Sequence, residues 1–261
     1  MARRSWVIAL SGLLLLPACE QEKQVDPVAE AAAMKKRLGA AREFLKEDKF
    51  DHARAIYEGV LAGEPNHPES LWGMGRLAYE DSKYDKALEL LEKAVAGAPD
   101  KAEFHATLGE VAFNHKKFPR SATAYGKAFA LDEGNGDYGI GQAKALKQAK
   151  KFDEAEKVLR VVVEEDVQAE FVYTELGEVL LALDRQDDAL RAYMKAQTIH
   201  PADTKARAGA ALVYEAKGDT KHALDEWSAY IRMDCCSDYS KNVARKKMLT
   251  LKQGSGEGDE G

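Results

Sequence analysis

The sequence predicts an all-α solenoid of six helical hairpins closed by a C-terminal capping helix, and three regularities carry that prediction. Stepping by 34 residues from Met34 reaches Pro68, Ala102, Gly136, Glu170 and Thr204, and the six blocks align without an insertion. Small residues recur at the eighth position (Ala41, Gly75, Gly109, Ala143, Gly177, Ala211) and at the twentieth (Ala53, Ala87, Ser121, Ala155, Ala189, Ala223). Position 24 carries Tyr57, Leu91, Tyr125, Leu159, Tyr193 and Trp227, and position 27 carries Val60, Ala94, Ala128, Val162, Ala196 and Tyr230. A fixed period of this length marks units that bury their apolar faces only by stacking on one another.

Each block resolves into two helices. Spacings of four and three put positions 20, 24 and 27 on one helix face, and positions 4, 7, 8 and 11 on one face of the preceding helix. The small residues stand where the two helices must approach closely. Short polar breaks such as "EDKFD", "DSKYD", "AKKFD" and "KGDT" separate them. The blocks span residues 34–237. Residues 238–253, "DYSKNVARKKMLTLKQ", fall where a further first helix would begin. Val243, Met248 and Leu251 can cover the last hairpin while Arg245, Lys246 and Lys247 face water, as the end of a solenoid requires. Residues 254–261, "GSGEGDEG", hold nothing to bury and read as a disordered acidic tail.

Residues 1–18, "MARRSWVIALSGLLLLPA", place Arg3 and Arg4 before an apolar run from Trp6 to Leu16. That run is too short to span a bilayer. A positive start, a short apolar middle and small residues at the end make a secretory signal, so the segment stands outside the fold. The formal net charge is −6, and it becomes more negative once two arginines and no acids leave with the signal. An acidic domain repels phosphate backbones, which excludes nucleic acid as a partner.

Two resemblances follow from these residues. Leu16-Pro17-Ala18-Cys19 resembles a bacterial lipobox, which implies acylation of Cys19, with residues 19–33 as lipidated N-terminus and short linker. Two or three acyl chains give stable membrane attachment, and Glu20, where the enteric sorting rule would retain a protein at the inner membrane through Asp, implies the outer membrane with the domain facing the periplasm. The 34-residue pattern resembles the tetratricopeptide repeat family, on the small residues at positions 8 and 20 and on Pro65, Pro99 and Pro201 at position 32. Glu133, Val167 and Cys235 replace that proline in the third, fourth and sixth blocks.

The second resemblance implies a right-handed superhelix whose concave wall is formed by positions 2, 5, 9, 12 and 13 of the first helices. Position 5 supplies Leu38, Trp72 and Ile140, position 9 supplies Arg42, Arg76 and Lys144, and position 12 supplies Tyr79 and Phe113. Such a wall suits an extended or helical client segment bearing apolar anchors and some acid, with Trp72, Tyr79 and Phe113 as hot spots. The competing reading makes these rings core, packed between adjacent hairpins. Lipid-anchored proteins with six such repeats are similar to the pilotins of type IV pilus systems, which help outer-membrane secretins assemble. Similar repeat lipoproteins serve outer-membrane protein insertion, peptidoglycan-enzyme scaffolding and gliding motility. The expectation is a non-enzymatic scaffold that binds protein clients of the cell envelope.

Three further features carry expectations of their own. Gly134, Gly136 and Gly139 have the spacing of a dinucleotide-binding loop, but they lie between helical hairpins and not between a strand and a helix, so no cofactor is expected. With Gly141 and Glu133 they predict a flexible joint between the third and fourth blocks, or else close backbone packing there. The histidines (His52, His67, His105, His115, His200, His222) fall on different repeat positions without metal-ligand spacing, so no metal is expected. Cys235 and Cys236 are adjacent at about 3.8 Å between α-carbons, below the usual disulfide range of about 4.4–6.8 Å. Cys235 could fill the proline site as a small apolar residue with Cys236 exposed. The pair could instead close a strained vicinal disulfide or bridge to another molecule. A thiol redox factor using the pair is the alternative to a pure scaffold.

Overall fold

The computed structural model describes residues 26–164, 169 and 171–254. The leader, Cys19, Val167 and residues 255–261 lie outside the described residues. Within them the chain forms thirteen α-helices and one π-helical turn, in the order the period predicts. The six hairpins are α1 (Pro27–Lys46) with α2 (Phe50–Gly63), α3 (Pro68–Glu80) with α4 (Tyr84–Gly97), and α5 (Ala102–Asn114) with α6 (Phe118–Leu131). They continue with α7 (Gly136–Gln148) and α8 (Phe152–Glu164), α9 (Val172–Ala182) and α10 (Gln186–Ile199), and α11 (Thr204–Ala216) and α12 (Thr220–Met233). A π-helical turn (Ser240–Ala244) and α13 (Arg245–Gly254) form the cap.

The two helices of a hairpin close on position 8. A Cβ at Gly75, Gly109 or Gly177 would come within 3.0 Å of Leu91, Tyr125 or Tyr193, the position-24 residue of the same block. Position 20 is fully buried in every block, and where it is Ser121 the hydroxyl donates to the Gly109 carbonyl at 2.7 Å. The turn between the helices is also constant. Asp48, Ser82, Lys116, Lys150, Asp184 and Gly218 all stand at position 15, and all six have φ between 56° and 70°. Five of these residues carry a Cβ in the left-handed region, which glycine alone adopts without cost.

Successive hairpins nest through a second small position that the 8-and-20 pattern does not contain. Gly73, Gly141 and Gly209, at position 6 of the second, fourth and sixth blocks, receive the rings of Tyr57, Tyr125 and Tyr193 from the preceding block. Where position 24 is the smaller Leu91 or Leu159, the next block carries Thr107 or Glu175 at position 6. Ring size and recess therefore alternate together along the stack. The buried residues divide into one cluster over the first three hairpins, one from α6 to α11, and a small one under the cap.

Three expectations change here. Helix α1 begins ahead of Met34, because Asp26 accepts from the Val28 amide at 3.0 Å and Pro27 opens an alanine-rich stretch of high helix propensity. Residues 27–33 are thus helix and not linker. Two of the glycines between the third and fourth blocks are packing sites: a Cβ on Gly139 would meet Val162 and one on Gly141 would meet Tyr125, each within 3.0 Å. Close backbone approach, the second of the two readings, accounts for these two, while a Cβ on Gly134 would meet only the Asp132 side chain at 3.6 Å. In the cap, Lys247 does not simply face water. It pairs with Glu215 at 2.7 Å and lies 6.0 Å from the Trp227 ring centroid, while Ala244 is buried and Met248 and Leu251 pack beside it.

Candidate protein-binding groove

The first helices α1, α3, α5, α7, α9 and α11 approach their counterparts in adjacent hairpins, whereas no two second helices come comparably close among the described residues. That asymmetry puts the first helices on the inside of the curve. Their side chains at positions 2, 5, 9 and 12 are therefore the ones to examine as a binding wall.

Position 5 is not open. Trp72 is 1% exposed and belongs to the core of the first cluster, with Leu38 and Ile140 each 5% exposed. The Trp72 ring stacks on Phe104 with centroids 5.5 Å apart, and its Nε1 donates to Thr107 Oγ1 at 2.9 Å. Two guanidinium groups also lie over the ring, Arg42 at 4.6 Å and Arg76 at 5.3 Å from its centroid. Trp72, Leu38 and Ile140 are thus correctly placed on the inner helices, but as core, and the expectation of Trp72 as an accessible anchor is replaced by a ring roofed with cations.

The charges on this wall are organised. Arg42 donates to Glu69 and to Glu103, each at 2.7 Å, so one guanidinium ties three consecutive hairpins. Partial burial opposes its charge, but the two carboxylates outweigh it and hold the group above its ordinary range. Beneath it the Tyr57 hydroxyl is buried with no hydrogen-bond partner among the described residues, and burial pushes it up to about 12. Arg76 differs from Arg42. It is half-buried, its contact is with the Trp72 ring, and among the described residues it pairs with no carboxylate. Tyr79 and Phe113, at position 12 of the second and third blocks, are half-buried at the edge of the same wall. The Tyr79 hydroxyl accepts from Asn114 at 2.7 Å, and the Tyr79 and Phe113 rings meet Tyr84 and Phe118 edge-on.

The fourth and fifth hairpins replace rings with ions. Lys147 stands at position 12 and donates to Glu175 at 2.6 Å and to Glu178, while Lys144 lies 3.5 Å from Glu175. Glu175 is 4% exposed, at the position that four of the other five blocks give to glycine. Burial works against the Lys147 charge, yet the carboxylates hold its ammonium above its ordinary range. Next to them Thr174 donates to Asp203, whose other oxygen caps α11 by accepting from the Ala206 amide at 3.0 Å. The position-9 residues therefore differ along the wall: Arg42 and Lys144 face carboxylates of this chain, and Arg76 does not. Position 6, which decides where Tyr57 and Lys147 can go, is the column that the family pattern at 8 and 20 leaves unread. Its signal was the alternation of Gly73, Thr107, Gly141, Glu175 and Gly209 in step with position 24.

Away from the wall, Cys235 and Cys236 are both exposed as free thiols, with sulfurs 2.8 Å apart. Cys235 therefore does not fill the proline site as a buried residue. Among the described residues no three His, Cys, Asp or Glu side chains gather as metal ligands, and no helix is long and apolar enough to cross a membrane. His105, the one buried histidine, shares a hydrogen bond with the Pro99 carbonyl at 3.0 Å.

Known proteins agree with this architecture. A family model of the tetratricopeptide repeat matches residues 44–110. Comparison with curated proteins gives no match. Among solved structures, MamA from Desulfovibrio magneticus RS-1 (residue 41 to the end) superposes with a TM-score of 0.58 at 18% identity, covering 66% of this chain and 97% of that one. YrrB, a tetratricopeptide protein with an unusual peptide-binding site, gives 0.58 at 18% identity over 73% and 97%. Pseudomonas aeruginosa PilF gives 0.68 at 13% identity over 84% of this chain and 99% of its own. Residues 44–110 match the tetratricopeptide repeat, and the fold of the described residues is an all-α solenoid of the tetratricopeptide kind.

Proposed function

We propose that this protein is a membrane-anchored scaffold whose inner wall, over the first three hairpins, holds an acid-bearing segment of a cell-envelope protein. The observation that carries the reading is Arg76, a cation on the inner helices that pairs with no carboxylate among the described residues, while Arg42 on the preceding hairpin and Lys147 two hairpins further on are paired. A client carboxylate would supply the missing partner, and the half-buried Tyr79 and Phe113 rings would receive apolar side chains on either side of it. The peptide-binding site of YrrB lends support from a protein of the same fold. Anchoring rests on the leader and Cys19, and the six-repeat architecture shared with pilotins points to a secretin or a similar assembled machine of the outer membrane as the client.

The test uses the full chain expressed with its leader, recovered with its clients by crosslinking in the envelope. The wild type should retain a specific envelope protein, and Arg76→Glu should release it without lowering the melting temperature. Mass spectrometry of the same preparation should find acyl groups on Cys19. Equal recovery by Arg76→Glu would refute the groove reading, and an unmodified N-terminus at another residue would refute the anchor.

A further inference from the structure

We propose that Cys235 and Cys236 form a reversible vicinal dithiol–disulfide site on the loop between α12 and the cap. Cysteine is among the residues most often buried, yet here both side chains are exposed and their sulfurs lie 2.8 Å apart. The loop that presents them is tied down on both sides. Asp234 Oδ2 accepts from the Tyr230 hydroxyl at 2.7 Å and from Ser237 Oγ at 2.5 Å, and Oδ1 accepts from the Ser237 amide at 3.2 Å. From the cap, Arg245 donates to the Cys235 carbonyl at 3.3 Å. An ordered loop that holds two thiols together in solvent is arranged for reaction at sulfur and not for packing.

The chemistry is exchange with a disulfide of a small thiol. The Cys235 thiolate attacks one sulfur of that disulfide, forming a mixed disulfide and expelling a thiolate that takes up a proton. Cys236 then loses its proton to water and attacks the Cys235 sulfur, which closes the vicinal bond and expels the second small thiol. The pair gives up two electrons and two protons, and the small disulfide receives them. The hydrogen bond to Cys235, together with the charge there, holds the Cys236 thiol above its ordinary range, which fits Cys236 to the second, closing step. Adjacent α-carbons at about 3.8 Å fall short of the roughly 4.4 Å at which ordinary disulfides begin. Closure therefore strains the loop, and the bond opens readily when the surrounding thiols become reducing.

Trypsin isolates the site, since cleavage after Arg232 and Lys241 yields the peptide Met233–Lys241 with both cysteines and without Cys19. The full chain is treated with glutathione disulfide, alkylated, digested and analysed by mass spectrometry. The expected product is this peptide two hydrogens lighter, with no alkyl group and no glutathione, converting to the doubly alkylated form after excess reduced glutathione. Cys235→Ser and Cys236→Ser should each retain one glutathione, because the closing attack is lost. A wild-type peptide that retains glutathione, crosslinks to a second chain or stays doubly alkylable overturns the proposal.

Discussion

At the scale of single residues, position 6 of the first helix decides how closely hairpins nest. Gly73 receives the Tyr57 ring, whereas Gly39, at the same position of the first block, has no preceding hairpin among the described residues and nothing within 4 Å of a built Cβ. The same substitution should therefore have opposite signs. Gly73→Ala overpacks against Tyr57 and should destabilise by about 1–3 kcal/mol, while Gly39→Ala should stabilise by about 0.5–1 kcal/mol through helix propensity alone. Urea titration of the two variants measures both. Tyr57 allows a second test. Its phenol is pushed up to about 12 by burial, against an ordinary value near 10, so it contributes stability in full below pH 10 and loses it as pH rises toward 12. Tyr57→Phe keeps the ring in its recess and removes that titration, so its alkaline unfolding midpoint should move upward, with no loss of stability at neutral pH. The column that Trp72 occupies was legible from the repeat. Its burial was not, because the cover over it comes from Arg42 of one hairpin and Arg76 of its own, and the pattern ranks positions without saying what roofs them.

At the scale of elements, helix positions were readable because a 34-residue period fixes where each turn must fall, and the observed first helices start on the block boundaries at Pro68, Ala102, Gly136 and Thr204. Small residues at 8 and 20 told which faces meet. The turn conformation was harder to read, since position 15 carries Asp, Ser, Lys, Lys, Asp and Gly, and only the last residue advertises a left-handed backbone. The common geometry comes from the hairpin closing around it: the position-16 amides of Lys49, Lys83, Lys117, Lys151, Arg185 and Asp219 each donate to a carbonyl five residues back, at 2.8–2.9 Å. That return bond selects φ > 0 whatever the side chain. Lys116→Gly should consequently stabilise by about 1 kcal/mol, because the left-handed conformation no longer crowds a Cβ. Gly218→Ala should cost a similar amount of about 1 kcal/mol. Thermal melts of the pair check the sign, and equal melting temperatures in both would show that the turn relaxes to another conformation.

At the scale of the whole molecule, stability should be local. Each hairpin touches chiefly its neighbours, and the buried residues separate into one cluster over the first three hairpins and another that begins in α6 and runs to α11. In a stack of this kind the free energy is a sum of repeat and interface contributions, and loss at one site spreads only as far as the coupling between neighbours allows. Leu91 is fully buried against Gly75 in the first cluster, and Leu91→Ala should remove about 2–5 kcal/mol of packing. Amide hydrogen exchange should then accelerate in α3, α4 and α5, while α9 through α12 keep the protection of the wild type. The groove would be affected in the same uneven way, since Arg42, Arg76 and Tyr79 stand on the weakened side, while Phe113 packs against the second cluster and the Lys147–Glu175 pair stands with it. A uniform rise in exchange across all hairpins would mean that the two clusters unfold as one cooperative unit, and that the ion pairs tying adjacent hairpins, such as Arg185 to Glu156 at 2.7 Å, couple the stack more strongly than its separated cores imply.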